Sequence, residues 1–130
     1  LPIWSLANSI SSKLNERQGY LDKADEIQKV YDRLARDKKT IKEYRNDIVY
    51  FYKESYNEFK GDNYKYTYKP SIQDLRDSYD DVISNIDINL DALNNQILSY
   101  KNKASGCLGS LGYMQIAYNS VKTQIQNWTN

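Results

Sequence analysis

From Tyr20 onward one position recurs every seven residues as a bulky apolar side chain: Tyr20, Ile27, Leu34, Ile41 and Ile48. A seven-residue repeat suits an α-helix wound against another helix; a strand would alternate with a period of two. Around this row the apolar residues fall three and four apart, through Ile3, Leu6, Ile10, Leu14, Leu21, Ala24, Tyr31, Tyr52 and Phe59. Only Gly19 interrupts, and no proline does, so the spacing predicts one helix over 3–58.

The rhythm breaks at "FKGDNYKYTYKP", residues 59–70. Gly61 is suited to ending a helix, and Asp62 and Asn63 favour a turn. Tyr64, Tyr66 and Tyr68 alternate with polar residues, but a lone strand has nothing to pair with, so an extended connector is predicted. Pro70 or Ser71 then opens a second helix, with Ser71 and Asp74 at capping-box spacing. Its stripe runs Ile72, Leu75, Tyr79, Val82, Ile86, Leu90, Leu93, Ile97 and Tyr100. Gly106, Gly109 and Gly112 follow, and the stripe resumes from Leu111 to Trp128. Three glycines cost about 2–3 kcal/mol of helix propensity relative to alanine, so an interruption near 105–112 is expected. The alternative is that the glycines let another helix approach closely.

Residues 2–60 and 70–128 are stretches of equal length around the turn at 61–69. The expected fold is therefore all-α, a single domain built as an elongated antiparallel hairpin of two long helices. Equal arms suggest that residue i lies near residue 130 − i. In that register the basic run Arg33, Arg36, Lys38, Lys39, Lys42 and Arg45 falls opposite 85–97, which holds Asp87 and Asp91 and no basic residue. The competing arrangement folds the arms back at the glycines into a compact bundle of three or four helices.

Two helices share one seam, and a 130-residue chain built that way buries less than the ~65–70% of its surface that a compact domain of this size buries. Apolar residues also lie off the main stripe: Val30, Tyr44, Val49, Tyr50, Phe51, Ile83, Ile88, Leu98 and Ile116. A second apolar face on a helix is ordinarily covered by a further helix. The candidate partner interface is Ile27, Leu34, Ile41, Ile48, Phe51, Tyr52, Ile86, Leu90, Leu93 and Ile97.

Composition narrows the chemistry. There is no histidine and one cysteine, Cys107, so neither a Ser-His-Asp triad nor an internal disulfide is available. Cys107 lies among glycines with no basic neighbour in sequence closer than Lys103, which argues against a reactive thiol. Asp77 and Asp81 share a helix face, yet early carboxylates on a helix serve its dipole without any metal. No enzymatic activity, metal or cofactor is expected. Eighteen basic against seventeen acidic residues give +1, which does not suit a general nucleic-acid binder. The Tyr-Lys run at 64–69 keeps single-strand stacking as a minor possibility. No apolar run approaches the ~20 residues that span a bilayer, and "LPIWSLANSISSKL" lacks the pattern of a cleaved leader. The expected location is the cytosol, with any export by a leaderless route.

A helix, an aromatic-x-Gly turn and a second helix of equal length resemble the WXG-type small helical proteins of type VII secretion. The likeness is closer to the YwqH-like proteins associated with LXG toxins, through Phe59-x-Gly61 and "SIQDLRDSYDDVISNIDINLDALNNQI" at 71–97. It covers 59–97, with the rest alike only in being helical. The resemblance implies that Phe59 takes the place of the family's tryptophan at the hairpin tip and that Gly61 allows the turn. It implies a secretion adaptor that binds the N-terminal helical segment of an LXG toxin, with or without a second small helical protein. The family's Tyr-x-x-x-acid export signal is replaced after the second helix by Tyr118-x-x-x-Lys122, whereas Tyr50-x-x-x-Glu54 lies before the turn. The other expectation is a self-assembling homodimeric four-helix bundle with no export role.

Overall fold

The computed structural model describes the backbone of residues 3–58 and 69–129, and their side chains except at 52–58, 126, 128 and 129. The expected turn residues Phe59 and Gly61, and the connector that follows, lie outside the described residues, as does the side chain of Tyr52. Two helices account for the description, α1 (Ile3–Glu58) and α2 (Lys69–Thr129). They pack against each other as an antiparallel, all-α hairpin. Pro70 falls in the first turn of α2, where its missing N–H removes no helical bond. The helix thus starts ahead of Ser71, which lies inside it rather than capping it.

By its contacts the chain divides into two units, one of residues 1–28 with 94–130, the other of residues 29–93. In the first, Leu6, Ala24, Ile97, Ala104 and Cys107 are buried. In the second, Ile86 and Leu90 are the buried apolar residues. Around them each helix turns inward a row that alternates strictly in steps of three and four. On α1 the inward row of the second unit is Tyr31, Leu34, Lys38, Ile41, Arg45 and Ile48, all half-buried. On α2 it is Ile72, Arg76, Tyr79, Ile83, Ile86, Leu90 and Leu93. A 3–4 alternation averages 3.5 residues per turn, the period of a coiled-coil seam.

The strict period corrects the expected stripes at three places. Leu14, Leu75 and Val82 are 50%, 47% and 45% exposed, and Lys13, Arg76 and Ile83 take the inward positions. Geometry outweighs side-chain polarity there, because Lys and Arg lay their methylene stems along the seam and carry the charge to its edge.

The register is also corrected. Lys38 pairs with Asp87 and Arg45 with Asp80, so the residue numbers of opposed pairs total 125. The tilted, neighbouring rings of Tyr20 and Tyr100 total 120. Neither matches the 130 inferred from equal arm lengths. Arg45 consequently meets Asp80, outside the acidic span expected for it, while Asp91 stays exposed.

Helix α2 runs unbroken through Gly106, Gly109 and Gly112, which removes the expected interruption and the folded-back bundle with it. A Cβ built at any of the three would meet nothing within 4 Å, so no close approach within the chain accounts for them either. The helix is held by the opposite face, where Ala104 and Cys107 are 2% and 4% exposed.

Candidate partner-binding face

In the unit of residues 29–93 the two flanks of the seam differ in chemistry. One flank is ionic. Arg45 Nε donates to Asp80 Oδ1 at 2.5 Å and Nη2 to Oδ2 at 3.4 Å, while Lys38 pairs with Asp87 one heptad along. The hydrogen bond from Arg45 holds the Asp80 carboxyl below its ordinary pKa, and the same contact raises Arg45. Lys38 and Arg45 are inward residues of α1, so their charges emerge on this flank only.

The other flank is apolar. Val30, Tyr44 and Phe51 share one angular position of α1, about 100° around the helix from the Lys38–Arg45 row. Leu75 and Val82 share one position of α2, about 160° around from the Asp80–Asp87 row. Helix rotation therefore sets both rows on the side away from the ion pairs. Val30 is 50%, Tyr44 55%, Phe51 50%, Leu75 47% and Val82 45% exposed. Two of these side chains stand a heptad apart on each helix, Tyr44 with Phe51 and Leu75 with Val82, and make a face that Asp37 interrupts on α1 before Val30.

Eight of the ten residues expected at a partner interface line the hairpin's own seam instead. Ile86, Leu90 and Ile97 are buried, and Ile27, Leu34, Ile41, Ile48 and Leu93 are half-buried beside them. Phe51 alone among the ten is exposed on the apolar flank, the side chain of Tyr52 not being described. Val30 and Tyr44 lie off the stripe, as their spacing predicts, whereas Leu75 and Val82, expected in the core, lie outside it. Counting in strict 3–4 alternation from Ile86 back to Ile72 separates the two rows.

The unit of residues 1–28 with 94–130 carries a polar arrangement. Lys13 Nζ donates to Glu16 at 3.0 Å, and Tyr20 Oη donates to the same carboxylate at 3.3 Å. Glu16 is lowered in pKa by its bond from Lys13, and Tyr20 is raised chiefly by the Glu16 charge. The rings of Tyr20 and Tyr100 lie 6.3 Å apart, with Lys23 Nζ 5.5 Å and Lys103 Nζ 5.2 Å from the centre of Tyr100. The hairpin also brings Lys13 within electrostatic reach of Cys107, a basic neighbour that sequence distance conceals. An open groove of about 400 Å³ runs beside Ser5, Asn8, Ser9, Ser12 and Glu16 of α1 and Met114 of α2. Its walls are short and polar, and it lacks the enclosure that orients a small molecule. No group of three metal-ligating side chains gathers among the described residues, and none of their helices is long and apolar enough to cross a membrane.

Compared with protein-family models, curated proteins and solved structures, the chain matches none.

Proposed function

We propose that this chain is a small helical adaptor, and that its partner is the N-terminal helical segment of an LXG-type toxin bound for type VII secretion. With or without a second small helical protein in the same bundle, the assembled complex is what the secretion machinery takes up. The single observation that carries docking is the apolar flank of Val30, Tyr44, Phe51, Leu75 and Val82, wet on one side of a seam whose other side is ionic. Amphipathic helices recognise such faces through side chains at heptad spacing. The choice of partner is supported by the resemblance over 59–97. Since Tyr118 is followed by Lys122 where the family's signal has an acid, the export signal in this reading belongs to the partner.

Co-expression of the chain with the N-terminal segment of an LXG toxin encoded beside it tests the proposal. A stable complex is expected, lost on Tyr44→Asp with Val82→Asp and kept on Asp80→Asn. Failure of the unaltered pair to co-purify, or equal loss with Asp80→Asn, contradicts it.

A further inference from the structure

The apolar flank changes character along its length. On α1 the row of Tyr44 and Phe51 places Asp37 one heptad before Tyr44, and on α2 the row of Leu75 and Val82 places Asn89 one heptad after Val82. The antiparallel register aligns these residues across the seam, Phe51 opposite Leu75, Tyr44 opposite Val82 and Asp37 opposite Asn89. Each of these pairs totals 126, one more than the 125 set by Lys38 with Asp87 and Arg45 with Asp80. The flank is thus a ladder of two apolar rungs and then a polar one, spaced by a heptad, or about 10 Å. Asp37 and Asn89 are both exposed, and Asp37 enters none of the ion pairs among the described residues.

The charges around this ladder are one-sided. Across residues 37–51 and 74–89 the cations are Lys38, Lys39, Lys42, Arg45 and Arg76, and each lies about 100° or more around its helix from the apolar row, toward the ionic flank. Asp37 stands in the row, Asp47 lies beside it between Tyr44 and Phe51, and Glu43, Asp74 and Asp81 follow on the outer faces. Arg33, the nearest cation on this side, stands a turn beyond the polar rung, beside Val30. A helix seated on the two apolar rungs reaches the third within one further heptad and there takes Asp37 out of water. An unpaired carboxylate is costly to bury, whereas a guanidinium meets it through two parallel hydrogen bonds. A single polar layer in an otherwise apolar helical interface fixes register and partner.

We propose that the flank of the unit 29–93 takes a helix with two apolar side chains one heptad apart and an arginine or lysine a further heptad along, which pairs with Asp37 in the polar rung. This chemistry rests on the adaptor reading and gives its partner helix a charge and a register. Arginine fits the rung better than lysine. Its planar fork gives two N–H groups to the Asp37 carboxylate and leaves a further one for the amide oxygen of Asn89 across the rung. The two apolar anchors seat the helix on Tyr44 with Val82 and on Phe51 with Leu75, and the cation decides where along the flank it stops.

Fluorescence anisotropy of two labelled synthetic helices, titrated with the full chain, tests it. Both helices carry leucine at two row positions a heptad apart. At the row positions one heptad before and after these, one helix has arginine and the other glutamate, so that either orientation presents a charge to Asp37. The unaltered chain is expected to bind the arginine helix about tenfold or more tightly than the glutamate helix. Asp37→Arg is expected to reverse that order. Asp91→Arg, the same change of charge on the ionic side of α2, is expected to keep it. No binding of the arginine helix up to about 1 mM, equal binding of the two helices, or reversal by both variants overturns the proposal. Should Asp37→Arg lose its helix by circular dichroism, Asp37→Asn decides. It is expected to abolish the preference, and a preference that survives it overturns the proposal. The N-terminal segment of the LXG toxin is titrated alongside. If it fails to bind while the arginine helix keeps its advantage, the toxin is contradicted as partner and the polar rung is upheld. If it binds the unaltered chain and Asp37→Arg equally, the polar rung is overturned and the adaptor reading is upheld.

Discussion

Asp80 marks where side-chain chemistry touches the stability of the seam. Its carboxyl is held below the ordinary aspartate value by the hydrogen bond from Arg45, so the unfolded chain takes up a proton there more readily than the folded one. The stabilisation is complete above the ordinary carboxyl value and is lost as pH falls through the lowered one. We therefore expect the melting temperature to fall below about pH 4, and Asp80→Asn to flatten part of that fall. A second residue-scale prediction concerns Arg17. It occupies an inward position, and its Nε lacks a hydrogen-bond partner although that atom is shielded from water. Arg17→Leu keeps the packing stem and removes the orphaned donor, and is expected to stabilise by about 1 kcal/mol in urea titration. At Ala24, 2% exposed, the helices leave no room for a larger side chain. Ala24→Leu is expected to cost about 1–3 kcal/mol by overpacking.

At the scale of the element, the helical character of both arms was legible because their apolar residues repeat at helical spacing over many turns. The register was not, for a physical reason. A stripe that repeats every seven residues looks the same after sliding by seven, so hydrophobic pattern alone leaves neighbouring registers nearly equivalent. Arg45 with Asp80 and Lys38 with Asp87 break the tie, and their spacing is visible only once the seam is known. The glycines misled because propensity is local, whereas the helix at 104–112 is kept by buried Ala104 and Cys107. Gly106, Gly109 and Gly112 each leave open space where a Cβ would stand, so alanine at each is expected to stabilise by about 0.5–1 kcal/mol. A paired test separates the two rows of α2. Ile83→Ala, on the seam, is expected to cost on the order of 2 kcal/mol. Val82→Ala beside it is expected to stay within about 0.5 kcal/mol in the monomer. Equal costs would return Val82 to the core.

For the whole molecule, the candidate face was legible in part. Val30, Tyr44 and Phe51 stood out because they could not share the stripe of Leu34 and Ile41, whereas Leu75 and Val82 hid one position from Arg76 and Ile83, whose charge and crowding disguised the true seam. That exchange moved apolar surface from the expected interior to the outside. The exposed area and the two-sided flanks leave an apolar flank exposed, and the proposed role as an adaptor would cover it with a partner's helix. Association with the folded form alone makes melting depend on the concentration of the partner through mass action. The most direct measurement is the melting temperature of the unaltered chain as the N-terminal helical segment of the LXG toxin encoded beside it is titrated over a hundredfold range of concentration. The account predicts a rise of several degrees across that range, since the gain approaches about 2.7 kcal/mol when the partner is far above its dissociation constant. A melting temperature that stays constant would contradict it, because it would mean the chain folds with no second helical chain against its apolar flank.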